Sequence, residues 1–328
     1  MIYKMRVFCK YIFITLVFIT KFSLTFAVEL PSVKIGVLQY GSVNWELDLI
    51  KELELDKKNN INVEIVQLAS KNAAAVALQG KAVDMIVTDW FWVSRQRSQG
   101  RMFSFFPHSI AAGGLIVSND SDINKLEDLK GKKIGIAGGQ VDKSWLIFRA
   151  YYIKKFGKDL LKESEQIFGA PPLLNKKIEQ GSFDAILTYW PYQARLIANG
   201  FKRVIDVTDI IDKLDVPKGL PIIGWVFRDE YSLENRDTLI NFLNASEEAK
   251  VMMSESNEVW EKIKPSMNAE NEETFLNLKE AYREGIPQEF ATKQIEGASK
   301  LFKTLSTIGG KELVGNSSEM ADGTFWIK

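Results

Sequence analysis

Short apolar runs alternate with amphipathic stretches through the first two thirds of this chain. Val33–Leu38, Val63–Leu68 and Met85–Val87 read as strands, with helices over Trp45–Glu54 and Asn72–Gln79 between them. In the first helix Trp45, Leu49 and Leu53 recur at the spacing of one helical face. Gly80 closes the second. The alternation returns further on, with strands at Lys133–Ala137, Gln166–Phe168 and Ala185–Leu187. The helices between them are Lys143–Phe156 and Leu173–Gln180, ended by Gly157 and Gly181. Strands separated by helices of this length predict parallel βαβ units and an α/β fold. Beyond Gly224 the pattern turns helical, over about 232–253, 255–264, 270–284 and 288–306.

Two stretches about a hundred residues apart share one layout. Gln79-Gly80, Asp84, three apolar residues, Thr88, Asp89 and Trp90 are echoed by Gln180-Gly181, Asp184, three apolar residues, Thr188, Tyr189 and Trp190. Each predicts a helix closed by Gly and a strand that ends on polar and aromatic groups. Ligands of parallel sheets sit beyond the carboxyl ends of the strands. Two such ends predict two lobes facing one cleft. Apolar strand-like runs at Leu115–Ser118 and Ile222–Phe227 are the expected crossings between them. The first lobe is then discontinuous, 28–117 plus 226–328, and the second is 118–225.

The N-terminus changes the picture of where the chain works. Lys4, Arg6 and Lys10 precede an apolar run from Tyr11 to Thr20, and Thr25-Phe26-Ala27 supplies small residues at −3 and −1. That order describes a secretory signal peptide over 1–27, cleaved after Ala27. The run is short of the roughly 20 apolar residues that a spanning helix needs. The 42 basic and 42 acidic residues balance, but the leader holds four bases and no acid, so the mature chain carries 38 bases against 42 acids. A weakly acidic, exported chain is not expected to bind nucleic acid. Cys9, the only cysteine, lies in the leader, and His108 is the only histidine. Disulfides, thiolate chemistry, a His-rich metal cluster and a Ser-His-Asp triad therefore lose their usual parts, and neither a metal nor a cofactor is expected.

Aromatic and polar residues beside strand ends are the candidate chemistry. Trp45 follows the first strand and Trp225 sits on the expected return crossing. Trp90 and Trp190 each end a strand and serve either as stacking surfaces for a planar or cationic ligand or as packing. Trp92 is assigned to the core. Asp89 either pairs with an ammonium or amidine-like group or caps the helix that follows. Lys143 and Ser144 open a helix whose free backbone N–H groups either hold an anionic or acceptor group of a ligand or are taken up by Asp142 as a plain N-cap, with Lys143 and Ser144 still able to donate. Tyr189 precedes Trp190. Gly113 and Gly114 either admit close backbone approach by a ligand or form a flexible turn. His108 is read as structural.

TDWFWVSRQR (88–97), GIAGGQVDKSW (135–145), FGAPPLLN (168–175) and LTYWPYQ (187–193) resemble ABC-importer binding proteins of the nitrate/sulfonate/taurine type, which include binders of thiamine-pyrimidine precursors. The resemblance covers nearly all of the mature chain. It implies a two-lobed periplasmic-binding-protein fold, each lobe a mostly parallel sheet flanked by helices, joined by two crossovers. It also implies a small organic nitrogen- or sulfur-containing solute in the cleft, an ABC permease in the inner membrane as partner, and a monomer without cofactor. Carried over by position, Trp45, Asp89 and Trp90 face the cleft from the first lobe, and Lys143, Ser144, Tyr189 and Trp190 from the second. Sulfonate binders of this type carry a Ser/Thr-rich turn where this chain has Gly139-Gln140-Val141-Asp142-Lys143. Pyrimidine synthases on the same fold carry a cysteine-rich motif that this chain lacks. The rival readings are such an enzyme and a sensing module that docks to a membrane sensor.

Overall fold

The structure, a computed structural model, describes residues 29–39, 41–288 and 290–328. The expected leader and its cleavage site lie outside the described residues. Among the described residues no helix is long and apolar enough to cross a membrane.

Two five-stranded sheets carry the fold. The first contains β1 (Ser32–Leu38), β2 (Asn62–Leu68), β3 (Met85–Asp89), β4 (Phe103–Ser109) and β10 (Ile223–Arg228), in the order β2-β1-β3-β10-β4. The second contains β5 (Gly113–Val117), β6 (Lys133–Ala137), β7 (Glu165–Gly169), β8 (Ala185–Tyr189) and β9 (Lys202–Asp206), in the order β7-β6-β8-β5-β9. β1 runs parallel to β2 and β3, and β6 runs parallel to β7 and β8. One strand in each sheet is reversed: β10 is antiparallel to β3 and β4, and β5 to β8 and β9. Each reversed strand is the first that the chain lays down after leaving the other sheet. The two sheets therefore have the same topology, as the echoed sequence segments predict.

The echo has a physical basis at Asp84 and Asp184. Asp84 accepts from the Lys34 N–H at 2.8 Å, and Asp184 accepts from the Lys133 N–H at 2.7 Å. Each carboxylate thus ties the start of the middle strand to the start of the strand where β1 or β6 begins its run. The unit then continues into a helix, α4 (Trp90–Arg97) after β3 and α8 (Trp190–Ala198) after β8.

The crossings need correction. Leu115–Val117 and Ile223–Phe227 are strands inside the second and first sheets, not connecting segments. The chain changes sheets just before each, over 110–112 and over 214–222 after α9 (Val207–Lys213). An inner strand covered on both faces is as apolar as a buried connection, so composition alone does not separate them. β4, β9 and α9 also escaped the pattern reading.

Among the helices that matter below, α1 (Val43–Glu52), α2 (Leu55–Lys58) and α3 (Lys71–Gln79) alternate with β1–β3. In the second half, α5 (Lys143–Phe156), α6 (Leu160–Glu163) and α7 (Pro171–Glu179) alternate with β6–β8. The chain closes with α10 (Asp229–Glu234), α11 (Arg236–Glu255), α12 (Glu258–Met267), α13 (Glu272–Glu284) and α14 (Thr292–Val314). α14 touches elements of both sheets. Its Phe302 stacks on Phe91 of α4 at 5.3 Å, while Lys300 donates to the Asp215 carbonyl in the returning segment at 3.1 Å.

Candidate functional site

The carboxyl ends of β3 and β8 meet at the start of α5, and the residues there form a set of linked charges. Asp89, the last residue of β3, uses its two oxygens differently. Oδ1 accepts from the Trp92 N–H at 3.0 Å, capping α4, and Oδ2 accepts from Lys143 Nζ at 2.9 Å. The capping reading of Asp89 is thus realised on Oδ1, while Oδ2 is held by the chain's own Lys143. Lys143 is the first residue of α5, on the second-sheet side. Asp142 caps α5 by accepting from the Ser144 N–H at 3.0 Å, and its other oxygen accepts from the Tyr189 hydroxyl at 2.9 Å. Gly138 makes that contact possible: it sits at φ +90°, and a Cβ there would fall 2.7 Å from the Tyr189 hydroxyl. Lys71, at the start of α3, places its ammonium 5.7 Å from the Tyr189 ring centre. Lys71 was not foreseen from sequence.

The environment keeps this pair ionised. Burial pushes the Asp89 carboxyl up, but the Lys143 charge and hydrogen bond and the Trp92 N–H outweigh it, leaving the group below its usual range. Burial pulls Lys143 down, and the Asp89 and Asp142 charges outweigh it, leaving the ammonium above its usual range. Burial and Asp142 both push the Tyr189 phenol upward, so it remains a hydroxyl donor.

Aromatic residues converge a short way along the same seam. Trp190 stands edge-on to Trp45 of α1 at 5.7 Å and lies 6.2 Å from Tyr282 of α13; Trp45 and Tyr282 are 6.0 Å apart. A second-sheet indole thus enters a slot made by first-sheet helices. Arg195, one turn along α8, reinforces the contact by donating to Glu270 at 3.0 Å and to the Met267 carbonyl at 3.3 Å.

Several expected site residues lie elsewhere. Trp90 does not face Trp190: it is 1 % exposed, stacks on Phe91 at 4.0 Å and donates its indole N–H to the Pro221 carbonyl at 2.9 Å. Trp92, assigned to the core, is only partly buried, with its ring 5.2 Å from Phe103. The burial order of the two indoles is the reverse of the expected one. Trp225 is fully buried in β10, edge-on to His108 and Phe242, each at 4.9 Å. Gly113 and Gly114 are close-approach positions, but the neighbour is the protein itself. A Cβ would fall 2.1 Å from the Thr188 carbonyl oxygen at Gly113 and 2.5 Å from that of Ile205 at Gly114. Ser144 is buried, with its N–H engaged by Asp142.

Sequence reasoning missed a buried polar network behind Trp45. Glu46 is fully buried and accepts from the Ser246 hydroxyl at 2.5 Å and the Tyr282 hydroxyl at 3.0 Å, with Lys250 Nζ at 2.6 Å. The Trp225 indole N–H donates to the Ser246 hydroxyl at 3.2 Å. Burial raises the Glu46 carboxyl, yet Lys250 and its hydrogen bonds bring it below the usual range. His108, 3.6 Å from Glu46, is pushed down to about 3 by burial and the Lys250 charge, so it is neutral, in line with its structural reading. The available signal was Glu46 itself, an acid among the core-facing residues of α1. A cavity of about 640 Å³ lies against this network, lined by Ser246, Lys250, Phe106, Ile286 and Trp326 among others. It shares no residue with the charged set at the strand ends.

A sequence profile described as NMT1/THI5 like matches residues 56–258, a stretch that carries all four of the segments quoted above. The chain belongs to the NMT1/THI5-like family. Among solved structures, the periplasmic aliphatic sulphonate binding protein SsuA from Escherichia coli is similar, with a TM-score of 0.69 at 16 % identity, over 90 % of this chain and 94 % of that one. The alkanesulfonate-binding protein SsuA from Xanthomonas axonopodis pv. citri, bound to MOPS, gives a TM-score of 0.68 at 12 % identity, over 92 % and 99 %. A Candida albicans protein described as exhibiting the generic periplasmic binding protein structural fold gives a TM-score of 0.58 at 13 % identity, over 90 % and 94 %. No curated protein sequence matches. This member of the NMT1/THI5-like family therefore has the periplasmic-binding-protein fold, with its two equivalent sheets as the cores of the two lobes.

Proposed function

We propose that this chain is the solute-binding component of an ABC importer, exported to the periplasm, that holds a small organic nitrogen- or sulfur-containing solute between its lobes and presents it to a permease in the inner membrane. The observation that carries this reading is the convergence of opposed charges and aromatic rings from both sheets on one seam: Asp89 with Lys143, and Trp45 with Trp190. Family membership and the similarity to sulfonate-binding proteins support it. The solute contacts Asp89, Tyr189, Trp45 and Trp190, with Lys143 at the edge of its site, and the segments 110–112 and 214–222 act as hinges on which the lobes separate to admit it.

Thermal-shift screening of the mature protein against sulfonates, amines, pyrimidines and carboxylates tests the reading. A compound that raises the melting temperature of the native chain, and fails to do so for Asp89→Asn or Trp190→Ala, supports the seam as its site. Stabilisation that survives both substitutions moves the site elsewhere. Small-angle scattering should show a smaller radius of gyration with that compound bound.

A further inference from the structure

We infer that Lys143 is an internal stand-in for the cationic end of the solute, held against Asp89 until a ligand amine or amidinium displaces it. The inference rests on the seam being the solute site. The two partners of the pair differ in how firmly they are placed. Asp89 ends a sheet strand and has one oxygen fixed by the Trp92 N–H at the start of α4, so its carboxylate has little freedom to move. Lys143 reaches it through a flexible four-carbon stem, and among the described residues Asp89 is the only hydrogen-bond partner of its ammonium. Lys143 is also the more exposed of the two, 26 % against 13 % for the Asp89 side chain.

This asymmetry decides which ligand the pair admits. A cation that takes Asp89 Oδ2 releases a lysine that can turn to water, with the Asp142 carboxylate beside it, and no buried charge is left alone. An anion that draws Lys143 away leaves Asp89 in its buried position with one N–H as its only hydrogen-bond donor and only the weaker Lys71 charge near it, which is the costly way to break such a pair. An amidinium or guanidinium, which presents two donors in one plane, competes better than a single-donor amine. The lysine therefore works as a threshold: a ligand must bind Asp89 better than the chain's own ammonium does.

Lys143→Met removes the competitor, and isothermal calorimetry with benzamidinium and with ethanesulfonate reads the result. If the pair is formed in about nine-tenths of the unliganded molecules, Lys143→Met should bind benzamidinium about ten-fold more tightly than the native chain. Ethanesulfonate should bind the variant no more tightly. Lys143→Arg, which restores a cation with a better fork for the carboxylate, should return benzamidinium affinity to the native value or below. Lys143→Gln, which can still donate to Asp89 without a charge, replaces Lys143→Met should that variant not fold. Equal or weaker benzamidinium binding by the neutral variants, with native binding that depends on Asp89, overturns the stand-in role while leaving the seam as the site. Absence of binding to any of these proteins overturns both.

Discussion

At the end of β3, Asp89 faces the seam and Trp90 turns into the core, where Phe91 and the Pro221 carbonyl hold it. At the end of β8 the neighbouring pair behaves differently: Tyr189 donates to Asp142, and Trp190 crosses the seam to stand against Trp45 and Tyr282. The backbone units are equivalent, down to the aspartate that ties each strand to its neighbour. What differs is the cover. α4 is overlaid by α14 and the C-terminal segment, so its first indole meets Phe302 and Phe325. α8 is overlaid by α13, so its first indole meets residues of the other lobe. A repeated unit thus repeats where a side chain starts, and the elements that pack on the unit settle what it touches.

The largest expected effect separates the two indoles. Trp90→Ala should lower unfolding free energy by about 3–5 kcal/mol, the cost of a large cavity in a packed core. Trp190→Ala should cost less, because its ring contacts lie between lobes, and should instead weaken solute binding. Urea unfolding beside calorimetry on both variants checks this, and equal stability losses would erase the distinction.

Nearly as large is the effect of breaking the network that shapes the Trp190 slot. Lys250→Met leaves Glu46 buried without its counter-charge and should cost about 3–5 kcal/mol. The pH dependence should change sign as well. In the native chain the Glu46 carboxyl is depressed below its reference value of 4.5, so its contribution is present above that pH and lost as pH falls through the folded value. In Lys250→Met, burial, the largest influence on Glu46, is opposed by the Ser246 and Tyr282 hydroxyls without the Lys250 charge and should raise the group, so acidification should stabilise the folded state relative to neutral pH. Urea midpoints between pH 3 and 8, a range that brackets ordinary carboxylate values, give the slope.

A smaller loss is expected at the charged pair. Asp89→Asn removes a hydrogen bond between charges, worth about 1.5–3 kcal/mol, and also weakens the cap of α4. The variant should bind a cationic solute far more weakly and an anionic one equally or better, which titration with both classes measures. The smallest effect belongs to the β8 side. Tyr189→Phe loses one part-buried hydrogen bond to the Asp142 carboxylate and leaves the α5 cap in place, so it should cost about 1.5 kcal/mol in thermal melts, the low end for a bond to a charged group. A loss larger than that of Asp89→Asn would reverse the ranking of the two strand ends.

The sequence by itself determined the α/β alternation, most of the strand cores, the repeated unit with its aspartate, and the helix start at Asp142–Lys143. Each of these is local: hydrophobic period, a capping side chain or a Gly that ends a helix acts within a few residues. The capping role of Asp89 was legible for the same reason, since the N–H it accepts from is three residues away, whereas its partner Lys143 is 54 residues away and was not. Only the tertiary structure decided that Leu115–Val117 and Ile223–Phe227 are inner strands, because burial on both faces looks alike in a strand and in a connection. It also decided that Gly113 and Gly114 press against β8 and β9, and that Trp90 and Trp190 part company. The Glu46 network joins residues up to 236 positions apart, as Tyr282 meets Glu46, and no local pattern encodes such a meeting. Long-range packing supplies the partner, and the partner determines whether a tryptophan or a carboxylate becomes core, clasp or site.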